Sequence, residues 1–166
     1  EYQDFLKRNP RVQIYSDISF RNFLGKCVGG ESEYFIALDE GKRIVGSLNC
    51  FMYEHPKLGV VVNSLPWFGS HGGCVVSSDL GQEARAELLA SYLNLVGEEN
   101  VISATLILSP HEQDSVEEYR KVIRPVAEDL RHGQISHLPT ESAQYEDQLY
   151  ALMHQKTRNL VRKSLK

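Results

Sequence analysis

The residues best suited to chemistry in this chain fall into two clusters. Residues 64–76 read Ser-Leu-Pro-Trp-Phe-Gly-Ser-His-Gly-Gly-Cys-Val-Val. Trp67, the only tryptophan, stands beside Phe68, Gly69, Ser70, His71, Gly72 and Gly73. Aromatic side chains can wall an apolar ligand, and glycines let a ligand approach the backbone. The same composition also suits a plain turn with its aromatics over the core. His71 lies far from any apolar stripe, which makes it a candidate for touching a ligand rather than a core histidine. A general-base role for it requires a nucleophile within hydrogen-bond reach. The second cluster is "QKTRNLVRKSLK", with Lys156, Arg158, Arg162, Lys163 and Lys166 and no acid after Asp147. Arg158 and Arg162, four apart, share one helix face. That face reads as a solvated basic surface favourable to the helix dipole, as a platform for phosphates or carboxylates, or as a nucleic-acid contact.

Other chemistry is weakly signalled. There is no GxxxxGK[ST], GxGxxG, CxxC or HExxH, so no nucleotide loop or metal site is expected. "SDLGQEARAE" places one glycine before a helix start, where amides can meet an anion, but Asp79 and Glu83 would repel phosphate. His111 next to Glu112 is unspecific, and no carboxylates stand out as a catalytic pair. Cys27, Cys50 and Cys74 are odd in number and widely spaced, which suits buried free thiols in a reducing cytoplasm. A net charge of −4 gives no global drive toward nucleic acid or membrane. No apolar run approaches the roughly 20 residues that span a bilayer. The start, "EYQDFLKRNP", is no signal peptide and lacks an initiator Met, so the chain reads as a fragment or a processed form.

The elements that must position these clusters follow from periodicity. At 166 residues the chain can bury one sizeable core. Tyr2, Phe5 and Leu6 predict a short helix stopped by Asn9-Pro10. A second helix starts at Asp17 or Ser19, turns Phe20, Phe23 and Leu24 to one face, and ends at Gly29-Gly30. Strands are expected at 34–38 and 43–53, joined by a tight turn in which Gly41 takes the positive φ. A third is expected at 60–65, stopped by Pro66, and a short fourth in "GGCVVS". Residues 82–96 form an amphipathic helix with Ala84, Leu88, Leu89, Tyr92, Leu93 and Val96 on one stripe, capped by Ser77, Ser78 or Asp79 and closed by Gly97. Residues 101–109 read as a buried strand. Residues 114–131 read as a helix with a break near Pro125, "QISHLP" as a sixth strand, and 143–166 as one long helix. The order implies a mixed α/β (α+β) fold around a single sheet.

Two stretches together resemble the FemAB-type branch of the GNAT acyltransferase superfamily. Leu65, Pro66, Gly69, Gly72 and Gly73, with Trp67-Phe68 in the aromatic place, match a segment like LPF-x-G-x-x-GG. Lys156, Arg158, Asn159, Arg162, Lys163 and Lys166 match one like K-x-x-R-N-x-x-R-K-A-x-K, with Ser164 where Ala is usual. The resemblance implies a GNAT-like fold, a single mixed central sheet flanked by helices, over residues 1–142. Residues 143–166 would lead as a basic helix toward a second GNAT-like half of the same chain. It also implies acyl or aminoacyl transfer to an amine, as on a cell-wall or saccharide precursor. The donor, acyl-CoA or aminoacyl-tRNA, would belong to the full-length protein and no cofactor to this half, with tRNA entering only as donor. Residues 67–73 would wall the acceptor cleft, and Arg158 and Arg162 would hold the acceptor's phosphates or carboxylates. No residue is assigned as base. The R/Q-x-x-G-x-G/A pattern of acetyl-CoA sites is absent from "SDLGQEARAE". Two other readings compete: a free-standing GNAT N-acetyltransferase using acetyl-CoA, and a non-catalytic module whose basic helix docks a partner or RNA.

Overall fold

The computed structural model describes residues 1–10, 12–64, 71–77, 80–130, 132, 138–139 and 144–165. Two compact units divide the chain, Glu1–Glu128 and Asp129–Lys166. The first opens with helix α1 (Tyr2–Lys7), a 3-10 turn (Ile14–Ser16) and helix α2 (Ile18–Val28). Asp17 caps α2 by accepting the Phe20 N–H, and Gly29 closes it in the left-handed conformation (φ 76°) that a side chain would strain. Strands β1 (Glu31–Leu38), β2 (Ile44–His55) and β3 (Gly59–Asn63) follow, then the two-residue β4 (Val75–Val76). Helix α3 (Gly81–Val96), strand β5 (Val101–Thr105), a 3-10 turn (Pro110–Ser115) and helix α4 (Val116–Ile123) complete the unit.

The sheet runs β1-β2-β3-β5, with β4 also paired to β2. All pairs are antiparallel except β3 with β5. That single parallel pair, joined across α3, makes the sheet mixed. Side chains alternate across it. On one face Leu48 and Cys50 of β2 and Val62 of β3 cluster with Leu88, Leu89 and Tyr92 of α3 and Tyr119 of α4. A Cβ built on Gly46 would touch Leu88 and Ala84, so the even positions of β2 face α3. The odd positions face the opposite helices, and Asn49 Nδ2 donates to the Tyr2 hydroxyl of α1 (2.7 Å).

Several expectations are corrected. The β1–β2 turn gives positive φ to Lys42 (60°), not to Gly41. The loop is a turn followed by a left-handed residue, fastened by Asp39, whose carboxylate accepts the Arg43 N–H and Nε–H. Phe23 is 58% exposed, because Arg21 and Leu24, three apart, occupy the buried face of α2. The fifth strand stops at Thr105 and is not buried. Among the described residues it pairs on one side only, and Ile102 is 56% exposed. The span 114–131 is a 3-10 turn capped by Ser109 and then α4, which ends at left-handed Arg124 because Pro125 bars the helical conformation before it. Among the described residues no side chain caps α3, whose N-cap is Leu80; the expected caps Ser78 and Asp79 lie outside the described residues. Residues 134–137 of the expected sixth strand also lie outside them, and Leu138–Pro139 is not a strand.

In the second unit the expected long helix is two. Helix α5 (Tyr145–Leu152) ends at extended Met153, and α6 (Gln155–Ser164) restarts under the His154 side chain, which accepts the Lys156 N–H. Among the described residues no helix is long and apolar enough to cross a membrane.

Candidate functional site

β3 and β4 lie along the same edge of β2. Phe51–His55 pairs with β3, and Gly46–Ser47 with β4. Between them Leu48, Asn49 and Cys50 have no partner in either strand. The chain leaves the edge after Asn63 and regains it at Val75, and the described part of this excursion is Ser64 and residues 71–74. Trp67, Phe68, Gly69 and Ser70 lie outside the described residues. His71, Gly72 and Gly73 lie within them.

Those three are held firmly. Ser64 N–H donates to the Thr105 carbonyl (2.9 Å) and Gly72 N–H to the Ile107 carbonyl (2.7 Å). Ser64 Oγ accepts the Ile107 N–H in return (3.1 Å). Cys74 N–H donates to the Tyr119 hydroxyl (2.7 Å), which donates to Glu112 Oε1 (2.7 Å). Glu112 Oε2 accepts the Ser109 N–H (3.2 Å). A Cβ on Gly73 would lie 2.1 Å from Glu112 Oε2, so this glycine serves close approach. Burial pushes the Glu112 carboxyl above its ordinary range, against the Tyr119 and Ser109 hydrogen bonds. Behind it Arg85 pairs with Glu118 and lies over the Tyr119 ring, 5.8 Å from its centroid.

Arg21 crosses to the gap from α2. It is 1% exposed, donates from Nη2 to the Cys50 carbonyl and from Nη1 to the Tyr15 carbonyl (3.3 Å), and lies 5.4 Å over the Tyr34 ring. No described carboxylate lies within ion-pair distance of it. Arg21, Ser47, Asn49, Ser64, His71, Gly72, Gly73 and Tyr15 line a cavity of about 10 Å3, room for one water-sized group. Arg21 Nε, Ser47 Oγ, Asn49 Oδ1 and His71 Nδ1 are buried with no hydrogen-bond partner among the described residues. Burial lowers the His71 pKa from its ordinary value and nearby His111 adds to this, while a hydrogen bond to the Leu108 backbone opposes it. Nδ1 is the ring nitrogen left without a hydrogen-bond partner among the described residues. The arrangement can take a proton from a small group in the cavity. It offers no thiolate: burial pushes both the Cys50 and Cys74 thiols up to about 12.

Arg158 and Arg162 belong to the second unit. Arg158 is half-buried on α6; Arg162 is exposed and lies 5.5 Å over the Tyr150 ring of α5. Among the described residues no group of His, Cys, Asp and Glu could hold a metal ion. Sequence reasoning missed Arg21, Ser47, Asn49, Ser64 and the Glu112–Tyr119 clamp. One signal was available: Ser47 and Asn49 alternate with Leu48 and Cys50, which marks a strand with one polar face inside the sheet.

No family model matches the chain, and no curated protein matches it. Solved structures do. An aminoglycoside acetyltransferase from an uncultured soil metagenomic sample, solved with sisomicin, aligns with a TM-score of 0.53 at 16% identity, over 82% of this chain and 88% of its own. A probable acetyltransferase aligns with a TM-score of 0.48 at 18% identity, over 85% and 86%. At such identity the likeness speaks to architecture. With its mixed sheet and flanking helices, this chain has the α+β fold of the GNAT acetyltransferases.

Proposed function

We propose that this chain is a GNAT-type N-acyltransferase that moves an acyl group from a thioester donor of the acetyl-CoA class to an amine. The observation that carries the reading is the cavity in the β2 edge, lined both by His71, whose Nδ1 is unpartnered among the described residues, and by the buried Arg21 guanidinium, which has no described carboxylate partner. An amine attacks a carbonyl only when neutral. Burial and a nearby cation both lower an amine's pKa, so Arg21 favours the reactive form. As the new N–C bond forms and the C–S bond breaks, His71 Nδ1 takes the amine proton and the thiolate departs to be protonated by solvent. His71, Gly72 and Gly73, which line the cavity, hold the reactants in place, which lowers the barrier by removing their translational freedom.

A titration with acetyl-CoA tests this. At 100 times its dissociation constant a ligand stabilises by about 2.7 kcal/mol. For a domain of this size that raises the thermal midpoint by about 5–10 °C. Thiol release with an amine present should follow, and His71→Gln should lower kcat about 10²–10³-fold. No shift and no release would overturn the reading.

One observation favours a second reading. The Lys156, Arg158, Asn159, Arg162, Lys163 pattern fits a FemAB-like enzyme in which residues 1–142 form the first half and 143–166 lead to the second. Trp67, Phe68 and the glycines would then wall the acceptor cleft, and the donor would be acyl-CoA or aminoacyl-tRNA. In the full-length protein, Arg158→Ala with Arg162→Ala should weaken binding of an anionic cell-wall or saccharide acceptor. Unchanged affinity would remove that role.

A further inference from the structure

A row of rings runs from the surface to the cavity. Phe23 is 58% exposed on α2. Its ring lies 6.5 Å from Phe20, Phe20 lies 5.9 Å from Tyr15, and Tyr15 lies 6.5 Å edge-on to His71. Each step is within the range of attractive ring contacts. Ile14, beside Tyr15, is 61% exposed. An exposed aromatic run is informative where a lone exposed apolar residue is not. This one ends on a residue that lines the cavity.

The charges at the cavity are one-sided. Among the described residues no Asp or Glu lines it, and Arg21 lacks a carboxylate within ion-pair distance. Asp17, the acid nearest in sequence to the row, accepts from the Phe20 N–H and from Gln3 Nε2 (3.0 Å). At the cavity itself a second or third ammonium on an acceptor would meet a buried cation and no described carboxylate.

We propose that the Phe23–Phe20–Tyr15 row is an acceptor-binding strip, and that the acceptor is a monoamine carried on an aromatic ring. The inference rests on the amine-acceptor reading above and narrows its substrate class. The ring of the acceptor lies on Tyr15 and Phe20, bordered by Phe23, and its amino group enters the cavity that Tyr15 lines. This chain therefore differs from the metagenomic enzyme solved with sisomicin, a ligand that carries several ammonium groups.

The test compares 2-phenylethylamine, butylamine and sisomicin as acceptors with acetyl-CoA and the full chain. The kcat/KM for 2-phenylethylamine should exceed the other two by at least tenfold. Phe23→Ser, a change at an exposed position, should raise KM for 2-phenylethylamine about five- to twentyfold, toward that of butylamine, with an unchanged thermal midpoint. Equal kcat/KM for the three amines, a preference for sisomicin, or an unmoved KM in the variant would overturn the strip while the transferase reading stands. If no amine is acetylated, calorimetry with 2-phenylethylamine decides: binding weakened by Phe23→Ser supports the strip and removes the transferase reading, and no binding overturns the strip.

Discussion

The two faces of β2 are made by one strand, yet they are built to opposite rules. Toward α3, Leu48 and Cys50 meet Leu88, Leu89 and Tyr92 in a cluster of almost wholly buried side chains. Toward α1 and α2, Ser47 and Asn49 meet Arg21 and Tyr2, with several polar atoms left unpartnered among the described residues. The apolar face gains from area removed from water. The polar face buries groups whose desolvation costs free energy unless each is hydrogen-bonded. A fold selected only for stability would fill both faces with aliphatics. The difference teaches that the face toward α3 is closed by apolar packing, while the other, although it also buries Phe51, leaves polar atoms unpartnered among the described residues.

Four measurements would break or sharpen that contrast. The largest effect is expected on the apolar face. Leu88→Ala should cost about 2–5 kcal/mol in urea unfolding, with turnover per folded molecule preserved. An equal loss of turnover would erase the distinction between the faces. Next is the seam where the excursion meets α4. Gly73→Ala should cost about 1–3 kcal/mol, because the Glu112 carboxylate it would strike is held by Tyr119 and Ser109. In a Glu112→Ala background the same change should cost clearly less, as coupled neighbours do; full additivity would place the clash elsewhere.

Arg21→Met exchanges a buried cation for an apolar chain. It leaves two carbonyls short of a donor but removes an uncompensated charge, so stability should change by less than about 2 kcal/mol. Acyl transfer at pH 7 should fall about tenfold and recover as rising pH deprotonates the amine. A large stability loss with unchanged turnover would make Arg21 a purely structural residue. The smallest effect is a pH slope. His71 has a folded pKa below its unfolded value, so the native state binds fewer protons in that window. Its share of stability is present above about pH 6.5 and is lost as pH falls through the depressed value. The difference in unfolding free energy between the wild-type chain and His71→Gln should therefore change only below about pH 6.5. A flat difference would mean that His71 does not titrate as its burial implies.

Legibility in the sequence followed the range of the interactions. The stripe Ala84, Leu88, Leu89 and Tyr92 predicts α3 because a helix repeats within a few residues. Asp17 and Gly29 bound α2 because caps are local too. Lys42 took the left-handed place expected of Gly41, in a turn that Asp39 opens and that its side chain fastens to Arg43. The split between α5 and α6 escaped the periodicity because the His154 cap interrupts helical residues without a proline or glycine to announce it. His71 stood out for its setting, but its candidate partners did not. Arg21 reaches the Cys50 carbonyl across 29 residues of chain and Tyr119 reaches Cys74 across 45.

By itself, then, the sequence marked α1, α2 and α3, the β1–β2 hairpin and the unusual glycine-rich segment. All of these are set by neighbours a few residues apart. Only the tertiary structure decided that β3 and β4 would share one edge with a gap between them. Only it decided that Arg21 would line the cavity there and that His71 Nδ1 would be buried without a partner among the described residues. Those outcomes depend on which distant strands pair and in what register, and register is fixed by burial of a whole face rather than by any local signal.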